Sequence, residues 1–80
     1  MTDRKIVPIH YLTLVKIFEA DGFRIVRKEG DHLILTKEGI KRPLVIKTSP
    51  RRVPVTHILT NLKTSGMSRG KYFLLLESAG

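Results

Sequence analysis

The tripeptide Gly30-Asp31-His32 holds the residue types best suited to chemistry in this chain. Stretches rich in β-forming residues flank it, at 23–28 and 32–36, so the histidine opens a strand directly after a tight turn. Imidazole can donate or accept a proton near neutral pH. Fixed by a turn among basic residues, His32 suits proton transfer on a polyanionic substrate. Asp31 and Glu29 stand beside it and can orient the ring or tune its charge. A strand-leading histidine is equally compatible with an ordinary surface residue, so the rest of the chain has to decide.

Other chemistries find little footing. His10, His32 and His57 fall on three separate segments, without the spacing of zinc ligands. Gly30 and Gly39 are isolated, so there is no phosphate-cradling glycine loop, and no serine sits in a Gly-x-Ser-x-Gly elbow. No metal, cofactor or small-molecule ligand is expected. His10 reads as a capping or surface residue. His57 falls on the polar side of a helix with Thr56 and Asn61 and reads as solvated surface. Arg51 and Arg52 precede a predicted helix start, where peptide dipoles add positive potential, and are candidates for holding phosphate.

The basic residues are unevenly spread. Formal charge is +8 over 80 residues, yet residues 1–21 are net zero. Residues 22–54 carry nine basic and three acidic groups, net +6. A localised basic face is the electrostatic footprint of a nucleic-acid binder. At 41% apolar residues the chain can form a core, and at this length one domain, residues 1–80 with a core at about 9–76, is expected. It has no cysteine, which fits a reducing interior. With no signal-peptide core and no apolar run of about 20 residues, a cytoplasmic location and no membrane contact are expected.

The elements that must position His32 follow from periodicity. Tyr11, Leu14, Val15 and Phe18 make one helical face, which Leu12 and Ile17 widen; Pro8 stands near its start and Gly22 ends it. Three strands follow, the third at 43–47. Alternation places Phe23, Ile25, Leu33, Leu35, Leu44 and Ile46 on the face that packs against helices. Arg24, Val26, Lys28, His32, Ile34, Thr36, Val45 and Lys47 fall on the other. A three-residue turn would set Lys28 across from His32, and a Gly30-Asp31 turn would set Glu29 there. Residues 48–53 read as a basic loop. Pro54 opens a second helix with the stripe Val55, Ile58, Leu59 and Leu62, closed by Gly66. Ser68 can cap a last short helix at 69–77, although 72–76 also suits a strand, and that segment reads as core more than partner surface.

Several segments together resemble the HicA (YcfA-like) mRNA interferase toxins. Asp21-Gly22-Phe23 is similar to their acidic-Gly-aromatic junction after the first helix, and Arg27 to His32 to their R-x-x-G-S-H turn. Val53-Pro54 with Ile58, Leu62, Lys63, Gly66 and Met67 matches the spacing of their second helix. Ser68-Arg69 with Lys71-Tyr72-Phe73 resembles their terminal helix. The likeness spans about residues 11–76. Asp31 stands where serine is commonest, Thr56-His57 replaces Gly-Thr, Thr48-Ser49-Pro50 lacks a second histidine, and Lys71 replaces a capping glutamate.

The resemblance implies an α+β fold like a double-stranded-RNA-binding domain: α-β-β-β-α with a three-stranded antiparallel sheet and a short C-terminal helix. It also implies metal-independent cleavage of mRNA with His32 catalytic, and neutralisation by a HicB antitoxin. Arg24, Lys28, Lys47, Arg51 and Arg52 would then bind RNA, with Gly30 and Asp31 supporting the turn. A non-catalytic RNA-binding module of the same fold, or a degenerate toxin kept as a protein-binding partner, are the alternatives.

Overall fold

The computed structural model describes residues 5–79. In chain order it holds β1 (Ile9–His10), α1 (Tyr11–Ala20), β2 (Arg24–Glu29), β3 (His32–Thr36), β4 (Leu44–Lys47), β5 (Arg52–Val53), α2 (Val55–Ser65) and α3 (Arg69–Ala79). The fold is α+β, with β2, β3 and β4 forming an antiparallel sheet in that order, as the α-β-β-β-α expectation required. What periodicity did not reveal is a second, two-stranded sheet. β5 lies within the expected basic loop and pairs with β1, matching Ile9 to Val53 and His10 to Arg52. Two-residue strands are too short to show alternation.

The helices form where the apolar spacing placed them. Leu14, Val15, Ile17 and Phe18 of α1 are buried, and His10 caps the helix by accepting the Leu12 N–H at Nδ1, 3.1 Å away. The α2 stripe is rotated from the expected one. Asn61 is buried beside Ile58 and Leu62, whereas Leu59 is 43% exposed. The segment at 72–76 is helical: Ser68 Oγ accepts the Lys71 N–H at 3.1 Å, starting α3 in the manner of an N-cap. Tyr72 is fully buried and Phe73, Leu75 and Leu76 pack against the core, leaving Leu74 64% exposed.

Leu14, Ile17 and Phe18 share the core with Leu35, Leu44 and Ile46 of the sheet, Ile58 of α2 and Tyr72 of α3. Ile6, before the first strand, joins it too. The core face of the sheet is therefore the one sequence alternation assigned, except that Ile25 is half exposed on the edge strand β2.

One carboxylate ties three elements to this core. The Asp21 side chain, just after α1, is 5% exposed and accepts from Lys37 Nζ at 3.0 Å and from Lys71 Nζ of α3. Lys37 also lies over the Phe23 ring, 4.9 Å from its centroid. Burial by itself would raise the pKa of Asp21. Hydrogen bonds from Lys71 and Lys37, together with their charges, outweigh that and hold it below the ordinary aspartate value.

Replacing Asp21 by Asn should lower stability at pH 7 by about 1.5–3 kcal/mol, the usual worth of hydrogen bonds to a charged group. A carboxyl whose folded pKa is depressed stabilises fully above its unfolded value, about 3.9, and loses that contribution as pH falls through the folded pKa. Urea unfolding curves of the two proteins should therefore converge as the solution is acidified below about pH 4. Curves that stay equally spaced down to pH 2 would mean that the carboxylate charge is not what stabilises this corner.

Candidate active-site groove

The β2–β3 turn contains only Gly30 and Asp31, and Glu29 is the residue paired with His32. Of the two registers left open by the sequence, this is the one with Glu29 opposite the histidine. Gly30 has φ +59°, a left-handed conformation that costs other residues about 1–2 kcal/mol. The turn is then clamped from β4. Thr48 donates its N–H to the Asp31 carbonyl at 2.8 Å and its hydroxyl to the same oxygen at 3.2 Å.

Across the sheet His32 pairs with Lys47 and Ile34 with Val45, so these four share the face away from the core. The His32 side chain is 40% exposed, and Asp31 Oδ1 lies 3.2 Å from its Nδ1, an ion pair whenever the ring is protonated. Nε2, across the ring from that contact, is the nitrogen left for chemistry.

Strand β2 departs from simple alternation. The register shifts between Ile25 and Arg27, leaving Val26 as a bulge, after which Arg27 opposes Ile34 and Lys28 opposes Leu33. Arg27 therefore joins the His32 face, and Lys28, expected there, lies on the other side of the sheet. Arg27 pairs with Glu29 of the same strand. Arg24, opposite Thr36, keeps its expected face but lies at the far end of β2. Arg51 and Arg52 sit at the β1–β5 corner, where the Arg51 carbonyl accepts the Tyr11 N–H at 2.8 Å.

α2 packs against β4, whose outer edge carries no further strand of that sheet. Between them lies a groove of about 200 Å³ lined by His32, Val45, Lys47, His57, Thr60 and Asn61. Of the sequence-predicted RNA contacts only Lys47 reaches it. His57, expected to be plain surface, forms part of its wall. A second, larger groove of about 680 Å³ adjoins it through Thr60 and is lined by Lys41, Arg42, Lys63 and Thr64, with no carboxylate on its walls. The site thus combines imidazole, ammonium and amide groups with a cationic extension, an arrangement able to hold a phosphodiester and move protons on it. The available signal for the missed residues was helical spacing: His57 and Asn61 are four apart, as are Thr60 and Thr64.

Among the described residues no helix is long and apolar enough to cross a membrane. Comparison with curated proteins gave no significant match, and neither did comparison with solved structures. Residues 13–67 match the family model described as HicA toxin of bacterial toxin-antitoxin. That span is more than half of the 80 residues and includes His32, Lys47 and His57 together with every residue that lines either groove. On that match the chain belongs to the HicA toxin family of bacterial toxin–antitoxin systems.

Proposed function

We propose that this toxin is a cytoplasmic endoribonuclease that cleaves mRNA without a metal ion, at the groove where His32 and Lys47 face each other. The observation that carries this reading is the cross-strand pairing of His32 with Lys47 in a groove open to solvent, with a basic groove on the other side of Thr60. RNA brings its own nucleophile, the 2′-hydroxyl. Cleavage needs a group to take its proton, a group to protonate the leaving 5′-oxygen, and positive charge for the crowded phosphorane. His32 supplies one proton-transfer role and Lys47 the charge.

Recognition through backbone and shape, without reading bases, fits a domain of this kind. Lys41, Arg42 and Lys63 would guide the strand away from the groove, with Arg24 as an outlying phosphate contact. Lys28, Arg51 and Arg52 would contribute through the general field more than through contact.

His32→Ala should abolish cleavage of a long unstructured RNA, with a loss of about 10²-fold or more from removal of acid–base catalysis. Circular dichroism should be unchanged, since the ring is outside the core. Equal cleavage by wild type and variant would remove His32 from the mechanism. Two triple variants with equal charge loss separate contact from field. Replacing Lys41, Arg42 and Lys63 by Ala should lower the slope of log K against log salt by about 2, at about 0.7 per single-strand phosphate contact. Replacing Lys28, Arg51 and Arg52 should change it by less than about 0.7. Equal effects of the two sets would place the RNA elsewhere.

Membership of a toxin–antitoxin family implies an antitoxin partner. A HicB-type protein is the proposed one, covering the His32 face. The basic excess over residues 22–54 would speed capture of an acidic partner. In the complex, amide exchange should slow at residues 24–36 and 44–48. Protection confined to helices, with RNA still bound, would rule out occlusion of the groove.

A further inference from the structure

We propose that His57 is the second acid–base group of the groove, taking the proton of the ribose 2′-hydroxyl while His32 protonates the leaving 5′-oxygen. This rests on the endoribonuclease reading and completes it. One imidazole cannot hold both roles in a single displacement, because one requires it neutral and the other protonated. The groove is small, about 200 Å³, and two of its six lining residues are imidazoles that arrive from different elements. His32 comes from the turn end of the β2–β3 hairpin. His57 comes from the first turn of α2.

A second observation points to an acceptor-bearing ligand in the same place. Asn61, one helical turn beyond His57 on the same wall, is only 5% exposed, and its Nδ2 finds no hydrogen-bond partner among the described residues. Folded proteins seldom leave a buried donor unpaired. Turning the Asn61 amide would bring this donor to a non-bridging phosphoryl oxygen in the groove, whose lining also includes Lys47. Neutral imidazole, imidazolium, ammonium and amide donor together form the set that in-line transesterification of RNA uses.

The neighbours distribute the two roles. Asp31 Oδ1 is 3.2 Å from His32 Nδ1, and Glu29 is its cross-strand partner. The Asp31 contact orients the His32 ring so that Nε2 is the atom offered to a leaving oxygen, and Lys47, its partner on β4, lines the same groove. His57 sits in the amino-terminal turn of α2, where peptide dipoles present positive partial charge, and no carboxylate lines its side of the groove. With His32 as the donor, His57 is the imidazole left to accept the 2′-hydroxyl proton.

In the reaction, the 2′-hydroxyl proton passes to His57 as the oxygen's electron pair forms the O2′–P bond. The P–O5′ bond breaks, and the departing oxygen takes the proton of the His32 imidazolium. The products are a 2′,3′-cyclic phosphate and a 5′-hydroxyl. Charge balances, and no further reactant enters.

The test uses the full chain with His57→Gln, a second polar replacement His57→Asn, and His32→Ala, each checked by circular dichroism. Single-turnover cleavage of the long RNA should fall by about 10²-fold or more in the His57 variants. RNA affinity should stay within about threefold, because a proton acceptor stabilises the transition state more than the bound substrate. The wild-type pH–rate profile should be bell-shaped, and the His57 variants should lose its acidic limb. Replacing the bridging 5′-oxygen of the mapped cleavage site by sulfur creates a leaving group that needs no proton. It should restore most of the rate to His32→Ala and little to His57→Gln. Wild-type rates in both His57 variants, with His32→Ala inactive, would overturn the role of His57 and leave the endoribonuclease reading intact. Sulfur rescue of His57→Gln instead of His32→Ala would overturn the assigned roles. If the wild-type chain cleaves no RNA, the endoribonuclease reading fails first and this inference falls with it.

Discussion

The register of one hairpin governs this molecule. Side chains alternate along a strand, so a slip of one residue between β2 and β3 would turn His32 toward the core and Leu33 toward solvent. Three features prevent it. Gly30 adopts the left-handed φ that a two-residue turn needs, Thr48 holds the turn carbonyl from β4, and Leu33 and Leu35 must face Ile46 and Leu44. The last is the strongest, since burying each large apolar side chain is worth about 1.5–3 kcal/mol. The position of the histidine is therefore a by-product of core packing on the opposite face. The turn needs only to be short enough not to undo it.

Elements dominated by long apolar periods are legible in the residue pattern alone. The four buried residues of α1, the three sheet strands and the start of α3 all lie where spacing puts them. Legibility ends where a single residue breaks the period. The Val26 bulge moves Lys28 off the His32 face and brings Arg27 onto it, and nothing in the run from Arg24 to Glu29 marks which residue will bulge. Asn61 reads as polar surface because its side chain is polar. It is buried because its place on α2, three beyond Ile58 and next to Leu62, leaves it against β4. His57 escapes a sequence reading for a related reason. Its value depends on which strand edge α2 lies beside, a tertiary fact with no local signature.

The charge distribution needs the same correction. Net +6 over residues 22–54 locates the basic region along the chain and not in space. Lys37, counted in that excess, is engaged with Asp21, as is Lys71 outside it. Arg27 is paired with Glu29. Among the described residues, the cations that line a groove are Lys47 in the small one and Lys41, Arg42 and Lys63 in the large one. Lys63 comes from a region of low net charge, so segment totals could not have singled it out. Field strength at a surface depends on which carboxylates share it, and here Glu29 and Asp31 stand at the hairpin turn and Asp21 just after α1, while among the described residues no carboxylate lines either groove.

Helix α2 shows how an 80-residue chain can supply core and site from one element. Its residues recur at intervals of three and four, so each such series occupies its own face. Ile58 and Leu62 fill the core. His57 and Asn61, one position earlier in each turn, line the small groove, and Thr60, Lys63 and Thr64 line the large one. The α2 wall of each groove is held by the Ile58–Leu62 face, whose close packing resists movement. The distance between the two imidazoles is thereby set by the same contacts that keep the chain folded. A chain too small to enclose a pocket can still hold two imidazoles in register in this way, because His32 stands on β3, fixed to β4 by strand pairing, and His57 stands on α2, fixed to β4 by packing.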